Sequence, residues 1–349
     1  MIILTDVHSF VGGHSSVHEP NLNADYGHVL SFFQHVQNEI GAVNGNVFLV
    51  NNGDFMDGTG LTTNPPSVSR QWDALIYSYM MYDLCALRIA FRSHIYQGQN
   101  VLVWESNSAW VRGILAIDQS DANIRAGLKS YSMYRDTYSK MNHSFFSFFW
   151  QELVGILKHM PWNAINIGNH ELYMNSTVEA IVKRPGGYAD WWGGRYLTSN
   201  VVIRSTGVPL GNRYNILHGG DDGTKVLAFG FLYNMKDAVG MVKVEPVEEV
   251  VVSKWFREAL VNEKFDAILV LAHMHVTDEL VYVLLEGIRE VVGVKVPVQF
   301  ITGHSHIRAY ENATDECSSS IESGMFLNTI GMVSFSKDSV PLRASVHRW

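Results

Sequence analysis

Five short polar motifs, each set directly behind an apolar run, constrain this chain more than any other feature. Asp6-Val7-His8 follows Met1–Thr5, and Asn51-Asn52-Gly53-Asp54 follows Asn46–Val50. Gly168-Asn169-His170-Glu171 follows Ala164–Ile167. His273 ends the run Asp266–Ala272, and Gly303-His304-Ser305-His306 follows Val296–Thr302. Short apolar runs bounded by such residues read as buried strands. Ligands of open sheets sit beyond the C-terminal strand ends. Five strand ends carrying Asp, Asn or His are therefore expected to converge on one point.

Between these strands the pattern is helical. Asn23–Ile40 carries Val29, Phe32, Phe33, Val36 and Ile40 on one stripe, and Phe145–Met160, Glu248–Asn262 and Val276–Val291 read the same way. Lys225–Leu232 is a further strand, Met325–Phe335 is strand-like, and Ser318-Ser319-Ser320 reads as a surface turn. Strands alternating with helices predict an α/β or mixed α/β fold. Ile95–His143 has weak periodicity and reads either as an inserted lid or subdomain or as translated non-coding sequence.

Composition narrows the function classes. At 47% hydrophobic and 17% charged, the 349 residues suit a sizeable core and not a disordered chain. A net charge of −8 argues against a nucleic-acid or anionic-membrane partner. No apolar run approaches the roughly 20 residues of a membrane span. Met1–Thr5 lacks the basic start of a signal peptide, and a strand at the first residue implies further sequence upstream. Two cysteines, Cys85 and Cys317, exclude a disulfide scaffold and a Cys-rich zinc site, whereas 15 histidines invite a search for metal ligands.

The motif spacing suits a metal. Asp6 and His8, like His304 and His306, are two residues apart, so in an extended segment both side chains face one side. Gly53, Gly168 and Gly303 allow sharp turns where a Cβ would crowd a site. Imidazole, carboxylate and one amide oxygen suit Zn, Fe or Mn better than Ca. Singly, each motif has an ordinary explanation: a turn at Gly53-Asp54, a satisfied buried histidine at His273. All five together, each behind an apolar run, favour a metal site.

The order Asp-x-His, Gly-Asp, Gly-Asn-His-Glu, His, Gly-His-x-His resembles the calcineurin-like metallophosphoesterase superfamily. Leu4–His14, Leu22–Gly27 and Gly168–Tyr173 are similar to a eukaryotic, fungal and protist group in its 5′-nucleotidase branch. The resemblance covers about residues 1–61 and 160–332. It implies a four-layer sandwich of two mixed β-sheets flanked by helices, with a catalytic domain at 1–336, an insertion at about 62–143 and a tail at 337–349.

It also implies two divalent metal ions: Mn, Zn, Fe or Mg. Asp6, His8, Asp54 and His306 would hold the first ion and Asp54, Asn169, His273 and His304 the second, with Asp54 as the bridge. Such a pair clamps an in-line displacement at phosphorus and makes a bridging hydroxide available near neutral pH. His170 would stabilise transition-state charge or protonate the leaving oxygen. The implied reaction is hydrolysis of a small phosphate ester, a nucleoside monophosphate first and a phosphodiester second. A non-catalytic metal-binding fragment is the rival reading. An amidohydrolase ranks lower, because its His-x-His stands on the first strand.

Three departures stand out. Bacterial-type nucleotidases place an Asp three residues after the catalytic histidine to orient it, and here Tyr173 stands there. The branch carries a second, C-terminal domain that binds the base, whereas this chain ends at Trp349. His275 is read as a substrate-side residue at best. Arg308 and Asn212 are candidate phosphate contacts, and His14, His18 and His28 have no assigned partner. The family leaves a secretory or vacuolar location open, and sequons at Asn142, Asn175 and Asn312 permit one without demonstrating it.

Overall fold

The computed structural model describes residues 1–12, 24–56, 90–96, 99–105, 112–116, 153–220, 222–312, 315, 317–336 and 339–348. Two compact units divide the chain, one of residues 1–59 and 152–349 and one of residues 60–151.

The first unit opens with β1 (Ile2–Leu4), α1 (Tyr26–Gly41) and β2 (Leu49–Asn51). The second unit contributes β3 (Ala90–Tyr96), β4 (Gln99–Glu105) and β5 (Arg112–Ala116), an antiparallel three-stranded sheet in that order. These strands cover part of the weakly periodic stretch at 95–143, and its remainder lies outside the described residues.

After a helical stretch at 153–158, the first unit continues with β6 (Ala164–Asn166), α2 (Asn175–Val182), α3 (Tyr188–Trp192), β7 (Tyr196–Leu197) and β8 (Val201–Ile203). Next come β9 (Tyr214–His218), β10 (Lys225–Leu232), β11 (Val242–Val244), α4 (Val247–Val251) and α5 (Lys254–Asn262). β12 (Ala267–His273), α6 (Glu279–Val292), β13 (Val298–Thr302) and β14 (Arg308–Asn312) follow. β15 (Ser318–Ser323), β16 (Thr329–Ser336) and β17 (Ser339–Arg348) complete it.

Two mixed six-stranded sheets form the body, in the orders β17-β16-β1-β2-β6-β7 and β14-β15-β13-β12-β10-β9. In the first, β1, β2, β6 and β7 run parallel. In the second, β10, β12, β13 and β15 run parallel. Antiparallel strands lie at the remaining positions.

Side-chain alternation builds the layers. Leu269 and Leu271 of β12 join Ile3, Val50, Ala164 and Leu197 in a core between the two sheets. Ile268, Val270 and Ala272 of the same strand turn the other way, onto Phe256, Leu260, Leu284 and Ile288 of α5 and α6. All seven β12 residues are buried, as parallel strands covered on both faces require. Ile2, Leu4, Leu49 and Ile165, on the outer face of the first sheet, are buried as well.

The expected strands and helices form with local adjustments. Asp25 caps α1 in a reciprocal arrangement with His28, so that histidine does have a partner. The expected helix at 248–262 is two helices, broken at Val252-Ser253 where a β-branched run meets a residue that favours caps. The expected helix from Val276 begins only at Glu279, where the Asp278 side chain accepts from the Leu280 N–H.

Ser318-Ser319-Ser320 is a correction. It is the buried start of β15, not a surface turn, and Ser319 Oγ donates to Gln299 Oε1 on β13 at 2.9 Å. Small hydroxyl side chains fit this tightly paired strand because the neighbouring strand supplies their hydrogen bonds.

Candidate metal centre

The parallel central strands of both sheets end at one place. Asp6 and His8 follow β1, Asp54 follows β2, and Asn169 and His170 follow β6. His273 closes β12, and His304 and His306 follow β13. Three donor groups form there, Asp6/His8/His306, His8/Asp54/His170 and Asp54/His273/His304, each with its ligand atoms within 4.8 Å of one another. Six of the seven sequence-derived donors and His170 thus come together, and Asn169 Oδ1 joins them 3.1 Å from His273 Nε2.

Asp54 stands between the groups. Its Oδ2 lies 3.7 Å from His8 Nε2 and 3.1 Å from His273 Nε2. Its Oδ1 accepts the His170 backbone N–H at 3.0 Å. Asp6 Oδ1 lies 3.5 Å from His306 Nε2, and the Asp6 carboxylate also accepts the His304 backbone N–H and the Thr5 hydroxyl. His273 Nε2 faces Asn169 Oδ1 at 3.1 Å, and His8 Nε2 faces His306 Nε2 at 3.1 Å. The His170 ring stands edge-on to His8 with centroids 4.7 Å apart.

The means of convergence differs from expectation. Asp6, His8, Asp54, His304 and His306 are not extended. Their φ angles are 51°, 48°, 50°, 75° and 61°, in the left-handed region. The side chains meet because the backbone kinks at each donor, not because i and i+2 share a strand face. Asp, Asn and His tolerate this region better than most residues. Glycine is required where two of these kinks touch. A Cβ at Gly53, itself at φ 89°, would run into the Gly168 backbone, and one at Gly168 would run into Asp54.

The donor set fits a cation. His8 Nδ1 lies 3.1 Å from the Met56 carbonyl and His273 Nδ1 lies 2.8 Å from the Asn52 carbonyl. A carbonyl only accepts, so each Nδ1 carries hydrogen, which leaves each Nε2 as the nitrogen whose lone pair would meet a bound cation. That is the tautomer of a metal ligand held by an outer hydrogen bond. Without positive charge, the His8 Nε2 lone pair would face the Asp54 carboxylate. Burial lowers the pKa of His273, but Asp54 and Asp6 outweigh it and push it up to about 10. Burial raises that of Asp54, and the His273 charge reverses this and holds it well below the usual carboxylate range. Both shifts mark a place that attracts positive charge.

Several supporting residues have roles that the sequence motifs do not announce. Glu171 is fully buried. Its Oε2 accepts from Asp54 N at 3.0 Å and Gly168 N at 2.8 Å, and its Oε1 accepts from Met56 N at 3.0 Å. Burial, and then the Asp54 charge, push its pKa up to about 7, against the pull of the Gly168 and Met56 donors. Glu322 does the same for the His304–His306 loop, accepting from Ser305 Oγ at 2.7 Å and Ile307 N at 3.1 Å. Asn166 Nδ2 reaches Asn52 Oδ1 and the Phe231 carbonyl, and Asn52 Nδ2 reaches the Ala272 carbonyl, which ties the two sheets together beneath the donors.

Other sequence candidates fall elsewhere. Asn212 Nδ2 donates to the Gly193 carbonyl at 2.6 Å and Arg308 Nε to Thr329 Oγ1 at 3.3 Å. His275 is bonded to Thr277. His14 and His18 lie outside the described residues.

The family model described as calcineurin-like phosphoesterase matches residues 135–308. The chain carries this calcineurin-like phosphoesterase domain. It is 32% identical over 190 residues to an uncharacterized protein of Schizosaccharomyces pombe, covering 51% of this chain and 30% of that one. To a protein of Arthroderma benhamiae described as secreted it is 28% identical over 187 residues, covering 51% and 27%. The solved 5′-nucleotidase from Candida albicans superposes with a TM-score of 0.68 at 22% identity, covering 99% of this chain and 51% of that one. A 5′-nucleotidase precursor from Thermus thermophilus superposes with a TM-score of 0.53 at 14% identity, covering 99% and 54%. The chain spans about half of these solved chains, and between 27% and 30% of the two fungal relatives.

Proposed function

We propose that this chain is a binuclear metal-dependent phosphohydrolase acting on phosphomonoesters, with a nucleoside monophosphate as the first substrate to test. One observation carries the reading: Asp54 Oδ2 lies between His8 Nε2 and His273 Nε2, so a single carboxylate joins two donor clusters. Asp6, His8, Asp54 and His306 would hold one divalent ion, and Asp54, Asn169, His273 and His304 the other. When bound, such a pair supplies a nucleophile from water near neutral pH and neutralises phosphoryl charge. The buried carboxylates fix the donors in advance. Glu171 holds the loop of Asp54, and Glu322 holds that of His304 and His306. His170 stands at the edge of the cluster beside His8, where its imidazole stabilises charge or donates a proton to the leaving oxygen.

The test is turnover of p-nitrophenyl phosphate and AMP with added Mn or Zn. Turnover is expected, with loss on EDTA treatment. Asp54→Asn keeps a residue that tolerates the left-handed backbone but removes the shared charge. Its activity should fall by more than the roughly 10–100-fold that loss of an outer hydrogen-bond partner costs a metal site. Turnover that survives EDTA or Asp54→Asn sinks the mechanism. Two bound ions without turnover favour a non-catalytic metal-binding chain instead.

A further inference from the structure

Asn169 is the one neutral side-chain amide among the seven donors, and an amide has two nearly isosteric ends. Only Oδ1 can face a cation, because Nδ2 carries hydrogens and would repel it. Something must therefore set which end points inward. In the structure Oδ1 faces His273 Nε2 at 3.1 Å, and Nδ2 donates to the hydroxyl of Tyr173 at 2.9 Å. The short 3₁₀ turn His170–Leu172 brings Tyr173 back over Asn169, four residues earlier.

The same tyrosine stands edge-on to His170, with ring centroids 5.2 Å apart at 89°. Its hydroxyl also meets that of Tyr233, whose ring lies on His304 at 4.7 Å. Tyr173 is 39% exposed, so it does not serve as core packing. It occupies the place where bacterial-type enzymes carry an acid directed at the histidine, yet here its hydroxyl is engaged with the neighbouring amide.

We propose that Tyr173 is a positioning residue that selects the Asn169 amide orientation and thereby sets affinity for the second ion. The inference rests on the binuclear reading above but is tested by binding, not by turnover. Flipping the amide would set two N–H donors against the cation and leave an oxygen against the Tyr173 hydroxyl, which could then bond to it only by donating. Tyr173→Phe removes the acceptor for Nδ2 and keeps the ring beside His170. Asn169→Asp removes the choice, because a carboxylate presents an oxygen whichever way it turns.

Equilibrium dialysis against Mn measures both ions in the wild type, Tyr173→Phe, Asn169→Asp and the double variant. We expect Tyr173→Phe to leave the first dissociation constant unchanged and to weaken the second by about 10–100-fold. High Mn should restore kcat in this variant. In the Asn169→Asp background the tyrosine substitution should cost less than about threefold, and that non-additivity separates positioning from a merely structural role. Melting of the metal-free proteins checks that each variant folds. Two ions bound with wild-type constants by Tyr173→Phe, an equal loss in both backgrounds, or no second ion in the wild type overturns the proposal. Two wild-type ions without hydrolysis would sink the phosphatase reading alone, and the binding constants would still decide the role of Tyr173.

Discussion

His170 and its neighbours show how much chemistry rests on single atoms. If His170 protonates the leaving oxygen, its loss matters most where the leaving group is a poor one. His170→Asn should slow AMP hydrolysis by about 100-fold or more. It should slow p-nitrophenyl phosphate less, because nitrophenolate departs without a proton. Steady-state kcat on the two substrates checks this, and equal losses argue for charge stabilisation instead. The seven donors and His170 were legible in the sequence because a metal accepts few atom types and their strand-end placement is visible in the apolar runs. The roles of Glu171, Glu322, Asn52 and Asn166 were not. Their partners are backbone groups remote in sequence, as with Glu171 and Met56, or carbonyls in the opposite sheet, as with Asn52 and Ala272. Nothing in a linear pattern announces which backbone N–H a buried carboxylate will meet.

Among the elements, the strands that could be read are those covered on both faces, such as β10 and β12, because burial on each side demands an unbroken apolar run. β15 escaped because its polarity is satisfied by the adjacent strand and not by water. The split between α4 and α5 escaped because the apolar stripe continues across it. The loops after β2 and β6 are joined by one side chain, Glu171. Glu171→Gln leaves one acceptor oxygen where three backbone N–H groups converge and turns an amide N–H₂ toward at least one of them. The expected loss is about 1–3 kcal/mol of stability, with weaker Mn binding, measured by denaturant melts and dialysis. An unchanged midpoint would show that the two loops are held by other contacts.

At the scale of the whole molecule, metal binding and folding are linked through protons. His273 is raised above its unfolded value of 6.5 to about 10, so its contribution is complete below 6.5 and is lost as pH rises through 10. Glu171 is raised from 4.5 to about 7, so its contribution is complete below 4.5 and is lost as pH rises through 7. Asp54 is shifted the other way and loses its contribution only in acid. The metal-free protein should therefore weaken as pH climbs from mildly acidic to alkaline. Cations bound as proposed would displace the His273 proton and offset the Asp54 charge, so stabilisation by Mn should widen over the same range. At a hundredfold excess over the dissociation constant it reaches about 2.7 kcal/mol. Thermal melts with and without Mn across pH test this, and a gap that narrows with rising pH would contradict it.

Five of the seven proposed ligands sit in the left-handed backbone region. A side chain there costs roughly 1–2 kcal/mol, less for Asp than for most, and glycine escapes the cost. Exchanging any one of these donors for glycine would relax the loop while deleting a ligand. The proposed donor set thus holds its loops in a backbone conformation that glycine would adopt more readily, and at Asp6 and Asp54 the hydrogen bonds to the His304 and His170 N–H groups oppose that relaxation.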